Sequence, residues 1–180
     1  MFSGKTTALI DHCKANETIE PLICCKPAKD TRYGTDSIDT HSGLTFPATP
    51  IKSIAEVVML SEKFKHIVID EVQFFDTDVE STISKILDQG KKVTLSGLEF
   101  DALHREFGHW VNLFEKANVV IRKTGQCAVC DKPATHTFRK TYTASILQLG
   151  AEEAYEPRCE LCHQNGLKKQ LEMPLGNNPY

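Results

Sequence analysis

Three groups of residues in this 180-residue chain have the types and spacing to do chemistry. The first, Ser3-Gly4-Lys5-Thr6-Thr7, stands immediately before a helical pattern and matches the second half of the phosphate loop G-x-x-x-x-G-K-[ST]. In such a loop backbone N–H groups and a helix N-terminus surround phosphate, Lys reaches its outer oxygens, and a Ser or Thr hydroxyl holds Mg²⁺. On this motif alone a helix start capped by threonines remains the plainer alternative. The second group is the apolar run Ile67-Val68-Ile69, which ends in Asp70 and Glu71. Ligands of open α/β sheets bind at the carboxyl ends of strands. An acid there can hold a phosphate-bound Mg²⁺, and its neighbour can serve as general base for a substrate hydroxyl. A solvated loop start would place acids there too.

The third group is the pair Cys127-x-x-Cys130 and Cys159-x-x-Cys162. Two such knuckles suit one structural Zn²⁺ with four thiolates and no open position. The 28 residues between Cys130 and Cys159 exceed the roughly 15–20 of a compact ribbon, so they should form a loop whose ends the metal ties together. His163 directly follows Cys162 and reads as an exposed neighbour rather than a substitute ligand. Cys13, Cys24 and Cys25 read as small core or near-surface residues with no metal role.

Elements must hold these groups in place. Helical patterns run over Thr6 to Ala15, Ser53 to Phe64 and Val79 to Gln89, and extended ones over Pro21 to Lys26, His66 to Asp70, Lys92 to Leu98 and Val119 to Arg122. Strands alternating with helices imply crossover units, hence a mostly parallel sheet with helices on both faces. Asp30 to Thr49, rich in Thr, Ser, Gly and Asp, reads as a long irregular loop. The pattern changes after Gly125 to knuckles and short Thr-rich strands. Three regions are therefore expected: an α/β domain over residues 1–124, a zinc-bound domain over 125–163, and a flexible tail over 164–180.

Composition bounds the rest. With 41% hydrophobic and 25% charged residues, the chain is an ordinary globular protein rather than a disordered or collagen-like one. A net charge of -3 argues against a protein that coats nucleic acid. No run of 18 apolar residues and no signal-peptide pattern occur, so membrane insertion is not expected, and the cytoplasm is the expected compartment. An odd cysteine count, seven, is a poor disulfide framework.

The order M-F-S-G-K-T-T, K-D-T-R-Y, I-D-E-V-Q-F-F, C-A-V-C, C-E-L-C resembles type II thymidine kinase, the cytosolic, zinc-containing kind, from Met1 to about His163. The resemblance implies a P-loop α/β domain with a small zinc-bound lasso domain. It also implies transfer of the ATP γ-phosphate to the 5′-hydroxyl of thymidine, giving dTMP for pyrimidine salvage and DNA precursor synthesis. It assigns ATP and phosphate binding to Met1, Phe2, Ser3, Gly4, Lys5, Thr6, Asp30, Thr31, Arg32, Asp70, Gln73 and Arg139. Arg32 would neutralise phosphate charge with its planar guanidinium. Glu71 matches the proton acceptor for the 5′-hydroxyl. Phe74, Leu98 and Phe107 match the nucleoside pocket; Ile146, Leu147, Gln148, Leu149 and Gly150 match the closing lasso, with Tyr155 as its aromatic partner. Structural Zn²⁺, Mg²⁺ with ATP, and a homotetramer are also implied.

The chain departs from that pattern in three places. The resemblance puts a first strand and a Gly-Pro before Met1, so Met1 reads as a misassigned start or a fragment boundary. Ala102 stands where the family usually has Phe, and Ala151 replaces the second glycine of a Gly-Gly pair. Two alternatives therefore remain at this level: a catalytically impaired or truncated thymidine-kinase-like protein, and a zinc-ribbon binding module. Against the second, Lys132, Arg139 and Lys140 are opposed by Glu152, Glu153, Glu156 and Glu160.

Overall fold

The structure, a computed structural model, describes residues 2–31, 34–75, 78–140 and 154–172. The chain divides into two compact units. The sheet unit comprises Gly4–Glu99 and Glu106–Ile121; the cysteine unit takes the residues through Ser3, the excursion Phe100–Arg105, and the chain from Arg122 onward.

The sheet unit is built on four parallel strands in the order β4-β1-β5-β6. They are β1 (Leu22–Pro27), β4 (Thr49–Ile51), β5 (His66–Ile69) and β6 (Lys92–Leu95). All four residues of β5 are buried, as expected of a strand covered on both faces. Alternation of side chains sends Cys24 and Val68 to one face, where Leu9, Ile10 and Cys13 of α1 (Lys5–Asn16) cover them. Cys25, Ile67 and Ile69 point to the other face. There α2 (Glu56–Ser61), α3 (Val79–Asp88) and α4 (Trp110–Lys116) supply Val57, Val79, Ile83, Ile86, Trp110 and Leu113. On α3 the buried positions Val79, Thr82, Ile83 and Ile86 recur at helical spacing. The α/β class with helices on both faces of a parallel sheet is therefore the observed architecture.

Several local expectations are corrected. Within the stretch Asp30 to Thr49 lies an antiparallel pair, β2 (Ser37–Asp39) and β3 (Thr45–Pro47), rather than irregular loop alone. Buried Ile38 and Phe46 anchor it on the α1 face, and the buried Lys26 ammonium donates to the carbonyls of Gly34 and Ser37. The α2 helix is shorter than its apolar pattern, because Glu56 accepts from the N–H groups of Lys52 and Ser53 and starts the helix late. β6 stops at Leu95, where Val72 N–H takes the Ser96 carbonyl at 3.0 Å. Val119 to Arg122 forms no strand: Val119 and Ile121 are 75% and 77% exposed, and β-branched residues make a strand only beside a ladder partner.

The cysteine unit holds two short antiparallel pairs, β7 (Gly125–Gln126) with β8 (Pro133–Ala134) and β9 (His136–Arg139) with β10 (Tyr155–Arg158). The helix α5 (Glu160–Glu172) follows. Residues 164–172 are thus helical where a flexible tail was expected. His163 is buried, not exposed: its Nε2–H donates to the Ala102 carbonyl at 2.9 Å, and its ring meets those of His136 and Phe138.

The sheet core should dominate stability of its unit. Ile69→Ala, at a fully buried site, should cost about 2–5 kcal/mol, whereas Ile19→Ala, at a 74% exposed one, should cost under ~0.5 kcal/mol in urea titrations.

Candidate functional site

The phosphate-loop residues sit at the start of α1. Gly4 is left-handed (φ 71°), Lys5 is the first helical residue, and the Gly4 carbonyl accepts from Ala8 N–H at 3.1 Å. Successive backbone N–H groups in a helix start next to a left-handed residue form an anion-binding concavity. Of the preceding residues, Phe2 and Ser3 are grouped with the cysteine unit, and Met1 lies outside the described residues.

Asp70 follows β5 at the carboxyl edge of the sheet and is buried. Its N–H donates to the Cys25 carbonyl at 2.9 Å, which continues the β1–β5 ladder by one residue and holds the carboxylate at the edge. Burial, and then the charge of Glu71, push its pKa up to about 6; the nearby Ser96 hydroxyl and Lys5 ammonium pull it back. Ser96 Oγ is itself buried. A buried carboxylate disfavoured by its own charge, with a buried hydroxyl oxygen beside it, fits a site for a hard divalent cation such as Mg²⁺. Thr6, in the first turn of α1, carries the hydroxyl a phosphate loop lends to that ion.

Glu71 occupies the left-handed region at φ 49° and ψ 43°. For a non-glycine residue this costs on the order of 1–3 kcal/mol and is found chiefly where function holds it. The short 3-10 turn Val72–Phe74 follows. It brings together residues that the sequence reading assigns separately. Gln73 is buried, and its side chain bonds Glu71 and the Leu98 N–H. Phe74 meets Phe107 edge to face at 5.4 Å, and the Lys29 ammonium lies 5.7 Å from the Phe74 ring centre. Glu71, Gln73, Phe74, Leu98 and Phe107 thus form one constellation. Asp30 is buried just beyond β1 and Thr31 is exposed, whereas Arg32 lies outside the described residues. Gly97, Gly108 and Trp110 frame Gln73 and were not singled out from sequence; the lone tryptophan between two glycine-bounded turns was the available signal.

In the cysteine unit, Cys127 and Cys130 flank the turn between β7 and β8, Cys159 follows β10, and Cys162 lies in the first turn of α5. The knuckle is shaped by Cys127 N–H to the Lys132 carbonyl (2.8 Å) and Asp131 N–H to the Cys127 carbonyl (3.1 Å). All four sulfurs lie within 4.8 Å of one another, with Cys130 and Cys159 at 3.6 Å. Zn–S bonds of about 2.3 Å put the edges of a tetrahedron near 3.8 Å, so the donor set fits one zinc ion. Arg139 and Tyr155 are register partners across β9 and β10, the guanidinium 5.7 Å from the ring centre. Ile146, Leu147, Gln148, Leu149 and Gly150 lie outside the described residues, as does Ala151. No helix among the described residues is long and apolar enough to cross a membrane.

Compared with known protein families, the chain matches the thymidine kinase family over residues 1–163.

The raised pKa of Asp70 has a measurable consequence without Mg²⁺ and nucleotide. Its folded value, about 6, lies above the usual 3.8. The stability it contributes is therefore complete below the unfolded pKa and is lost as pH rises through 6. Asp70→Asn copies the neutral form. It should stabilise the ligand-free protein by on the order of 3 kcal/mol at pH 8 and by roughly half that at pH 5. Urea midpoints at both pH values check this.

Proposed function

We propose a specific reaction for this chain, which belongs to the thymidine kinase family: transfer of the ATP γ-phosphate to the 5′-hydroxyl of thymidine, giving dTMP. The observation that carries the proposal is the adjacency of a buried acid, Asp70, and a conformationally held acid, Glu71, at the sheet edge whose field includes Lys5. Glu71 accepts the proton of the 5′-hydroxyl as its oxygen attacks phosphorus. Lys5 and the amides at the start of α1 neutralise charge on the transferred group and on the departing ADP. Arg32 and Arg139 add guanidinium charge, and Asp30 and Thr31 shape the same nucleotide segment. Asp70 and Thr6 would hold Mg²⁺, which when bound would neutralise charge on the phosphate oxygens. Phosphoryl transfer asks little covalent chemistry of the protein, so catalysis is positioning and electrostatics.

Phe74, Phe107 and Leu98 offer an apolar wall for the nucleoside. The resemblance assigns nucleoside binding also to Ile146, Leu147, Gln148, Leu149, Gly150 and Tyr155. Zn²⁺ on Cys127, Cys130, Cys159 and Cys162 is structural, since four thiolates leave no position for substrate. The family reading carries with it a homotetramer, a cytosolic setting and a role in pyrimidine salvage.

Two experiments test this reading. Glu71→Gln should preserve ATP binding and lower kcat by about 10²–10⁴-fold in a coupled ADP-release assay with thymidine; unchanged turnover would remove Glu71 as the base. Elemental analysis should find one zinc per chain. Structural zinc brings an apparent ~10–16 kcal/mol to small domains. Cys159→Ser or chelation should therefore speed amide exchange in residues 125–139 and 155–170, raise the thymidine KM, and leave exchange in β1 and β5 as it was.

A further inference from the structure

We infer that Gln73 is a positioning residue for Glu71, holding the carboxylate and coupling it to the nucleoside wall at Leu98; this rests on Glu71 being the base. Gln73 is buried at 5% exposure, so both ends of its amide must find protein partners. They do so on opposite sides. The Leu98 N–H can only donate, so the side-chain atom 3.0 Å from it must be the oxygen, Oε1. That leaves Nε2 facing the other way, where it donates to Glu71 Oε2. The orientation of the amide is therefore dictated by a backbone group rather than by choice.

Two glycines bring their backbone close against the Gln73 side chain. A Cβ on Gly97 would fall on Gln73 Oε1 and within 2.7 Å of Trp110 Cζ2. A Cβ on Gly108, already at φ 96°, would lie 3.0 Å from both Cα and Cβ of Gln73. Two backbones thus approach the side chain as closely as only glycine permits. Trp110 Nε1–H donates to the Leu98 carbonyl at 2.7 Å, fixing the far side of the residue whose N–H holds Gln73. The chain of contacts runs from Trp110 through the Leu98 peptide groups and the Gln73 amide to the Glu71 carboxylate. Its end is the residue at φ 49°, and a turn in that conformation persists only where its surroundings over-determine it. Gln73 is spent on this task, so it acts on the base rather than on phosphate directly.

The test separates the two amide ends. Gln73→Glu keeps the shape and the acceptor for Leu98 N–H but removes the donor to Glu71; Gln73→Met keeps the shape and removes both. Each should lower kcat about 10–100-fold, the loss expected for one hydrogen bond to a charged group, with Kd for ATP and for thymidine within about threefold of the parent. In a Glu71→Gln background, Gln73→Glu should change the residual rate by less than about threefold, because coupled residues are non-additive. Parent-like kcat in Gln73→Glu, or a full further loss in the Glu71→Gln background, overturns the proposal. A readout independent of turnover separates it from the functional reading. In ¹⁵N spectra, the Gln73 side-chain amide should be exchange-protected in the parent chain and lose that protection in Glu71→Ala. An amide equally protected in both rejects the contact, whether or not the chain phosphorylates thymidine.

Discussion

Burying an acid at the carboxyl end of a completely covered strand is the constraint from which the rest of the sheet unit follows. Asp70 is carried out of water by four buried residues of β5. Its charged form there is disfavoured by burial first and by Glu71 second. A protein can tolerate such a group only if something positive comes close or if the group is neutral part of the time. Lys5 supplies part of the compensation, and a cation with its phosphates would supply the remainder. Helix α1, the parallel order β4-β1-β5-β6 and the two hydrophobic faces bring an ammonium and an acid to one edge of the sheet. The cost of burying this charge and the affinity of the edge for a cationic ligand are two aspects of one arrangement.

The cysteine unit solves a different problem. Its two-stranded pairs are too small to make a core of their own. Four cysteine sulfurs within 4.8 Å of one another bring the β7–β8 turn and the start of α5 to one point, where a single zinc ion could tie them. Around them a small set of rings adds packing: Phe100, His104 and His136 stack in sequence, and His163 tilts against the last. Arg158 lies 3.4 Å above Phe138, where Gly166 of α5 leaves space for its guanidinium.

Most of the sheet unit was legible because its signals are local. Residues 67–69 read as a buried strand ending in acids, and the cysteine spacing announced a four-sulfur cluster able to hold a metal without reference to any fold. What was missed depended on partners distant in sequence. Val119 to Ile121 has strong β propensity, but a ladder needs a neighbour, and propensity does not say whether one exists. His163 looked like a bystander because its partner, the Ala102 carbonyl, is 61 residues away. The β2–β3 pair was hidden in a polar stretch whose apolar anchors, Ile38, Leu44, Phe46 and Ala48 among the described residues, are few and scattered. The Gln73 clamp was invisible for the same reason: Gly97, Gly108 and Trp110 converge on it only after the chain has folded.

The chain passes between its two units four times, at Ser3–Gly4, Glu99–Phe100, Arg105–Glu106 and Ile121–Arg122. This bears on the order of events during synthesis. By the time Ile121 has been made, the four described strands of the parallel sheet exist, and that unit can close early. The cysteine unit draws residues from both sides of that stretch, so it is complete only once Cys159 and Cys162 are translated. Folding of this second unit therefore follows that of the sheet unit and is timed by the arrival of Cys159 and Cys162.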